Sequence, residues 1–234
     1  MRYARAGVSL RLPNRGPPWI VVDFDLTKTI VARWPGKLWR VRVIEAANAS
    51  DQRHAGGAPN AQATYVRAIC VHVMSAESPA LLFGPRGADL LPIFDEAARL
   101  SRDTARNLAS SRHADAAAAY DRVLRNWAQA ANVAVTSDGL DGVLKMCGGS
   151  PVNGALAVLH HLAFERARLI DGSAALIQEG DSVFLAEPWA TAAQVIGDAA
   201  LALGAPDLVS DSGRDALVSG WVSVFGPIQR TASP

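Results

Sequence analysis

Two carboxylates stand close together near the start of the chain, at alternate positions of an apolar run. Residues 20 to 27 read Ile-Val-Val-Asp-Phe-Asp-Leu-Thr, and the two acids are Asp23 and Asp25. The period of two predicts a β-strand that places both carboxylates on the face opposite the core. Two carboxylates on one face of a strand could hold a hard cation.

This stretch resembles the first motif of haloacid-dehalogenase-like phosphatases and phosphotransferases, an apolar strand that ends in Asp-x-Asp-x-Thr. The resemblance implies that Asp23 is the phosphoryl-accepting nucleophile, that Asp25 is the general acid–base, and that Mg²⁺ bridges them. It also implies a parallel sheet with alternating helices. The later motifs of the family have these candidates here: residues 133–137, Lys145, and either Gly180-Asp181 or Gly197-Asp198.

A second interpretation of the pair needs no catalysis. In it, Asp23 and Asp25 form ion pairs across strands with Arg40 or Arg42 on a solvated face of the sheet. The order of the predicted elements favours this interpretation, because strands follow one another directly and helices come afterwards. Magnesium-dependent phosphoryl transfer is therefore kept as the alternative function, and no cofactor or metal is expected otherwise.

The first 42 residues are strongly basic, with nine Lys or Arg against two Asp and a net charge of +7. Residues 138–234 carry a net charge of −6, so the whole chain has a charge of only +1. Strand periodicity places Arg33, Arg40 and Arg42 on one exposed sheet face near Lys37. Such a face would attract an anionic partner, or the acidic tail of a second copy in a homo-oligomer.

Aromatic residues are interleaved with these cations, and that composition is typical of a nucleic-acid surface. Cations contact phosphates there, and aromatic rings stack on bases. Trp34 and Trp39 are predicted on the buried face of the sheet, which removes them from stacking, and a solvated arginine face is the commoner arrangement. The sequence therefore leaves the partner undetermined between protein and nucleic acid.

A Gly-rich stretch, residues 137–154, leads into a helix whose start is predicted by Ser150-Pro151. Free backbone amides at Gly148, Gly149 and Ser150 could bind an anion with help from Lys145. The stretch lacks the Gly-Lys-Ser/Thr ending of a nucleotide-binding loop, and Ser150 can cap the helix itself. A loop and a helix cap are therefore the alternative to an anion site.

Three or four strands are expected in the first third of the chain. Thr29–Trp34 and Lys37–Ile44 flank the turn dipeptide Pro35-Gly36 and are typical of a hairpin. Thr64–Met74 is apolar on both faces, as in a central strand. Residues 48–63, before that strand, are rich in Gly, Pro and Asn and predict a polar loop.

From about residue 80 the apolar spacing becomes helical, and five or six amphipathic helices are expected to cover one face of the sheet. The predicted helix starts are Asp89, Ser101, Ser110 or Ser111, Ser150-Pro151, Pro188 and Ser210. Strands followed by helices indicate an α+β fold. We expect residues 1–78 to form an antiparallel β region with a basic N-terminal arm, and residues 79–234 to form a helical region that packs on it. The alternative is that the two regions together form one domain.

The composition is that of a folded chain: of 234 residues, 50% are hydrophobic and 19% are charged. Two cysteines make no disulfide framework, no apolar run is long enough for a membrane span, and the N-terminus lacks the apolar part of a secretory signal. We expect a cytoplasmic protein without membrane contact, with the Ala- and Arg-rich composition typical of bacterial proteins. Because only Asp23 and Asp25 have an interpretable catalytic spacing, a non-catalytic binding or regulatory role is favoured.

Overall fold

A computed structural model describes residues 4–26, 29, 34–48, 50–51, 65–130, 152 and 154–228. The chain divides into two units, Met1–Ile30 with Gly36–Leu81 and Val31–Pro35 with Leu82–Pro234. The described part of the first unit holds a four-stranded antiparallel sheet, and that of the second holds six α-helices and a β-hairpin. The predicted α+β fold, with strands first and helices afterwards, is confirmed.

The sheet is built around one long strand. Strand β4, Tyr65–Glu77, pairs with β1 (Ser9–Arg11) and β2 (Ile20–Asp23) along one edge and with β3 (Leu38–Ala46) along the other. From residue 66 to residue 73 its side chains are buried on both faces, apart from two half-buried positions. A strand that is apolar on both faces needs cover on both, which is why this segment occupies the centre, as predicted.

Strands β1 and β2 lie end to end along β4. Ser9 is opposite His72 at one end, and Asp23 is opposite Tyr65 at the other. The connection between them, residues 12–19, contains three prolines, which have no amide hydrogen to donate to a neighbouring strand. The edge is therefore interrupted where the prolines stand.

The first strand of the hairpin predicted around Pro35-Gly36 lies largely outside the described residues. Strand β3 pairs with β4, and the described residue Trp34 lies outside any strand. Its indole packs instead against Phe83 and Phe94, with ring centroids 5.8 and 5.0 Å apart, and donates a hydrogen bond to Asp95 at 3.2 Å. These contacts place the half-buried Trp34 with the second unit. Residues 30–33 lie outside the described part of the chain.

The second unit is organised around one apolar helix. The described helices are α1 (Gly87–Ala97), α2 (Arg102–Ser111), α3 (Ala116–Ala130), α4 (Ala155–Asp171), α5 (Trp189–Gly204) and α6 (Asp211–Phe225). Helix α5 packs against each of the other five. It is rich in alanine and apolar around most of its circumference, and such a helix is stable only at the centre of a bundle.

Two predicted helix starts are confirmed by side-chain caps. The hydroxyl of Ser101 accepts a hydrogen bond from the Thr104 amide at 3.1 Å, and that of Ser210 accepts one from the Gly213 amide at 3.2 Å. Both serines have extended backbone, as a helix N-cap requires. Pro188 likewise precedes the first residue of α5.

Two other predicted starts are wrong. Helix α1 begins at Gly87 with Arg86 as its N-cap, so that Asp89 lies within the first turn. Ser110 and Ser111 end α2, and the next helix begins only at Ala116. The hydroxyl of Ser111 donates backwards to the Leu108 carbonyl at 3.0 Å, a bond that serine makes inside helices as well as at their starts. The start predicted at Ser150-Pro151 lies outside the described residues.

Asp171 at the end of α4 joins three helices. It accepts a hydrogen bond from the indole of the buried Trp189 in α5 at 2.8 Å and another from Arg102 in α2 at 3.0 Å. The hydrogen bond from Trp189 is the main cause that lowers the pKa of Asp171, and Arg102 lowers it further. The carboxylate therefore fixes the start of α5 relative to α2 and α4.

A short hairpin inside the helical unit was not predicted. Strands β5 (Leu176–Glu179) and β6 (Ser182–Leu185) pair antiparallel around a two-residue turn. Gly180 in that turn has a φ of +59°, a conformation that glycine adopts without strain. None of the described helices is both long and apolar enough to cross a membrane.

Candidate functional site

One face of the sheet carries rows of polar side chains across three strands. Arg42 of β3 and Ser9 of β1 are both opposite His72 of β4, so the three share a face. The Ser9 hydroxyl lies 3.1 Å from Nδ1 of His72. This row places an exposed guanidinium beside a hydroxyl and an imidazole.

The next row brings two arginines to one glutamate. Arg11 and Glu45 are both opposite Cys70, and the Arg11 guanidinium contacts the Glu45 carboxylate across the central strand. Arg15, from the connection after β1, reaches the same carboxylate at 3.1 Å. Cys70 is 4% exposed beneath them. The single carboxylate of Glu45 therefore forms ion pairs with two guanidinium groups, those of Arg11 and Arg15.

Arg40 and Arg42 are exposed, and Val41 between them is half-buried, as the alternation of a strand requires. The strand bulge at this point falls on β4, so the alternation along β3 is unbroken between the two arginines. Arg40 forms an ion pair with Glu77 at 3.1 Å, whereas Arg42 has no carboxylate within 4.0 Å among the described residues. We call Arg11, Arg15, Arg40 and Arg42 the arginine face.

The arginine face has more positive charge than its partners neutralise. Among the described residues, the four guanidinium groups have the carboxylates of Glu45 and Glu77 as ion-pair partners, which leaves an excess of two positive charges. The paired side chains stay solvated, with Arg11 59%, Arg15 85% and Arg40 66% exposed. Lys37, just before β3, is exposed too. Arg33 lies outside the described residues.

Asp23 lies at the end of β2, half-buried in a cavity of about 360 Å³. Burial raises the pKa of Asp23, and a hydrogen bond from Thr29 opposes part of that rise. Asp25 is exposed. The predicted pairing of Asp23 with Arg40 is not observed: both residues line this cavity, but Arg40 forms its ion pair with Glu77.

The surroundings of Asp23 and Asp25 differ from those that the dehalogenase-like resemblance implies. That family has a parallel sheet, whereas every strand pair in the described residues is antiparallel. Gly180-Asp181 forms the turn of the β5–β6 hairpin, and Gly197-Asp198 lies inside α5. The other predicted motif residues and the predicted anion loop lie outside the described part of the chain: residues 133–137, Lys145, Gly148, Gly149 and Ser150.

The helical unit contains a cleft of about 600 Å³ that the sequence did not indicate. Helix α5 forms its floor with Gln194, Gly197 and Asp198, and Arg112 enters from the end of α2. The remaining walls come from α3, α4, α5 and β6, with the side chains of Ala117, Tyr120, Asp121, Leu156, His160, Phe184, Leu185, Ala190 and Ala193.

A buried ion pair lies at the base of this cleft. Asp198 is 2% exposed and accepts a hydrogen bond from Nε of Arg112 at 3.1 Å. The same guanidinium donates to the side-chain oxygen of Gln194 through Nη1. Burial raises the pKa of Asp198 to about 6, and the positive charge of Arg112 opposes a larger rise. The pair thus joins α2 to α5 and positions the guanidinium at the cleft.

Sequence reasoning missed this pair, although one signal was present. Asp198 interrupts the apolar stripe of α5, between Ile196 and Ala199, and a buried carboxylate needs a partner. The identity of that partner could not be inferred, because Arg112 lies 86 positions earlier in the chain.

Within the described part of the chain, no group of three or more His, Cys, Asp or Glu side chains could hold a metal ion. No protein-family model, curated protein or solved structure matches this chain significantly. The function is therefore argued from the charge and geometry of the arginine face and of the helical cleft.

Proposed function

We propose that this protein binds an anionic macromolecule through the arginine face and serves as an accessory or regulatory protein, not as an enzyme. The observation that carries the proposal is the excess of two positive charges on that face. Arginine suits this role because its planar guanidinium contacts phosphate or carboxylate groups through two parallel hydrogen bonds.

Nucleic acid is the anionic partner for which the face is best suited. Phosphates lie at regular intervals along a duplex, and exposed arginines contact them without reading sequence. The aromatic residues add little base stacking: Trp19 lies under the Arg67 guanidinium at 5.2 Å, and Trp34 packs against Phe83 and Phe94. We therefore expect duplex binding through the backbone, with weak sequence preference.

The test is fluorescence anisotropy of a labelled duplex, titrated with protein at two salt concentrations. The Arg40→Gln/Arg42→Gln variant removes two cations, and Arg106→Gln is the control, since Arg106 is an exposed arginine of α2 in the helical unit. We expect affinity to fall steeply with salt. The slope of log K against log salt should decrease by about two in the double variant and stay unchanged in the control.

Two results would contradict the proposal. The first is a wild-type protein that does not bind the duplex even at low salt, which would make the arginine face ordinary solvated surface. The second is a control variant that loses as much affinity as the double variant, because binding would then depend on total charge. Either result would move the search to protein partners.

The alternative function, magnesium-dependent phosphoryl transfer by Asp23, is less well supported. The sheet that carries Asp23 is antiparallel among the described residues, whereas the dehalogenase-like resemblance implies a parallel sheet with alternating helices. Turnover of a generic phosphomonoester with and without Mg²⁺, in wild type and Asp23→Asn, tests this alternative. We expect no magnesium-dependent turnover. Activity that disappears in Asp23→Asn would overturn the non-enzymatic assignment.

A further inference from the structure

We propose that the cleft of the helical unit, between α3, α4, α5 and β6, binds a small amphipathic carboxylate. This inference is independent of the arginine face, because every residue that lines the cleft belongs to the second unit. Its volume of about 600 Å³ falls in the range of small-molecule sites. The cleft also has the composition of such sites, a mainly apolar wall with a few polar groups.

Arg112 provides the anion-binding end of the cleft. A guanidinium has five N–H donors, and the ion pair with Asp198 and the hydrogen bond to Gln194 engage one nitrogen each. The side chain is 24% exposed and lines the cleft, so its remaining donors are accessible there. Asp198 and Gln194 hold the guanidinium in one orientation, which reduces the entropy lost when it binds a carboxylate.

The apolar end of the cleft accommodates a hydrocarbon or aromatic body. Leu156 of α4 and Leu185 and Phe184 of β6 line it, and Phe184 is 50% exposed. Ala193 and Gly197 of α5 contribute small side chains that leave the space open. An exposed phenylalanine beside a half-buried arginine favours a ligand with one apolar end and one anionic end.

The other polar groups at the cleft restrict the ligand to small size and one negative charge. Asp121 is 54% exposed on α3 and lies 3.9 Å from Arg125, so it is partly neutralised. Tyr120 and His160 face the cleft from α3 and α4. With Asp121 and Asp198 nearby, a ligand with several negative charges would be repelled, whereas a monocarboxylate can contact Arg112 alone.

The first experiment titrates the full-length protein with 3-phenylpropionate and follows amide and arginine Nε–H resonances by NMR. The matching amide and amine, 3-phenylpropionamide and 3-phenylpropylamine, have the same carbon skeleton and differ in charge. For a ligand of this size we expect a Kd of about 0.1 to 1 mM for the carboxylate. The amide and the amine should bind at least about tenfold more weakly. The Nε–H resonance of Arg112 should shift only with the carboxylate.

Two variants locate the site, and each removes a different part of it. Arg112→Lys keeps the charge beside Asp198 but loses the planar fork, and should weaken carboxylate binding about tenfold. Ala193→Leu fills the cleft without touching the ion pair, and should abolish binding. Ala157→Leu is the matched control, because Ala157 is exposed on α4 outside the cleft.

Four results would overturn the proposal. Two concern the probes: the carboxylate does not bind at concentrations well above the expected Kd, or the amine binds as tightly as the carboxylate. The other two concern the variants: Ala193→Leu binds the carboxylate normally, or the Ala157→Leu control loses binding. If Arg112→Lys does not fold, Ala193→Leu and the comparison of the three probes still decide the question.

Discussion

The arginine face of the sheet and the cleft of the helical unit carry their charges in opposite ways. On the sheet, Arg11 and Arg15 share Glu45 at the surface, and Arg42 has no carboxylate partner among the described residues. In the helical unit, the single guanidinium of Arg112 forms an ion pair with the single buried carboxylate of Asp198. An exposed arginine costs little when it lacks a partner, whereas a buried carboxylate without one is strongly destabilising. Exposed charges are therefore free to bind another molecule, and buried charges fix the positions of helices.

The largest expected effect comes from breaking the buried pair. Arg112→Ala leaves Asp198 without its cation, and should lower the free energy of unfolding by about 3 to 5 kcal/mol above pH 6. Urea denaturation at pH 8 and pH 5 measures this loss. It should be smaller at pH 5, because Asp198 is then mainly protonated and its burial costs less. An equal loss at both pH values would mean that packing, not charge, is responsible.

The pH dependence of stability gives a second test of the buried Arg112–Asp198 pair. The folded-state pKa of Asp198, about 6, lies above its ordinary value of 3.8, so the folded protein holds this proton more tightly than the unfolded chain. The resulting stability is present below pH 3.8 and is lost as pH rises through 6, a change of about 3 kcal/mol. Asp198→Asn removes this loss.

Denaturation curves of wild type and Asp198→Asn from pH 3.5 to pH 7.5 measure the difference. The stability of wild type relative to the variant should fall across that window, mainly as pH rises from 3.8 to about 6. Curves that stay parallel over the whole window would show that Asp198 does not titrate with a raised pKa.

A smaller effect is expected at Asp171. Asp171→Ala leaves the indole N–H of the buried Trp189 without its acceptor, and should lower the thermal unfolding temperature. Thermal unfolding followed by Trp fluorescence measures the change, with Asp171→Asn as a control that keeps an acceptor for the indole. If alanine and asparagine have the same effect, the hydrogen bond to Trp189 is not the cause.

The smallest effect on stability is expected on the arginine face. Arg42→Gln should change the free energy of unfolding by no more than about 0.5 kcal/mol, because the side chain is exposed and has no described carboxylate partner. Urea denaturation in the conditions used for Arg112→Ala gives the direct comparison. A loss of more than about 1 kcal/mol would place Arg42 in a structural interaction and would remove the contrast with the Arg112–Asp198 pair.

Local sequence signals predicted the parts of the fold that depend on local chemistry. The central strand followed from apolar residues on both faces of residues 64–74, and two helix starts followed from Ser101 and Ser210. The alternation of residues 40–42 likewise predicted that Arg40 and Arg42 are exposed and that Val41 between them points to the other face. Each of these features is decided by residues within a few positions of one another.

Features that depend on distant residues could not be predicted. Trp34 packs against Phe83 and Phe94, about fifty residues or more away in sequence. Asp198 accepts a hydrogen bond from Arg112, which lies 86 positions earlier in the sequence. The cleft is likewise formed by several helices and a hairpin that are distant in sequence. A periodic pattern shows which face of an element is buried but does not identify the element that covers it.

The measurement that tests the central claim most directly compares one arginine from each unit in the same duplex-binding assay. Arg42→Gln and Arg106→Gln, which each remove one exposed positive charge, are titrated beside wild type across a range of salt concentrations. We predict that Arg42→Gln lowers the slope of log K against log salt by about one, whereas Arg106→Gln leaves it at the wild-type value. A slope that is unchanged in Arg42→Gln, or no duplex binding by wild type at low salt, would contradict the assignment of the arginine face as the binding surface.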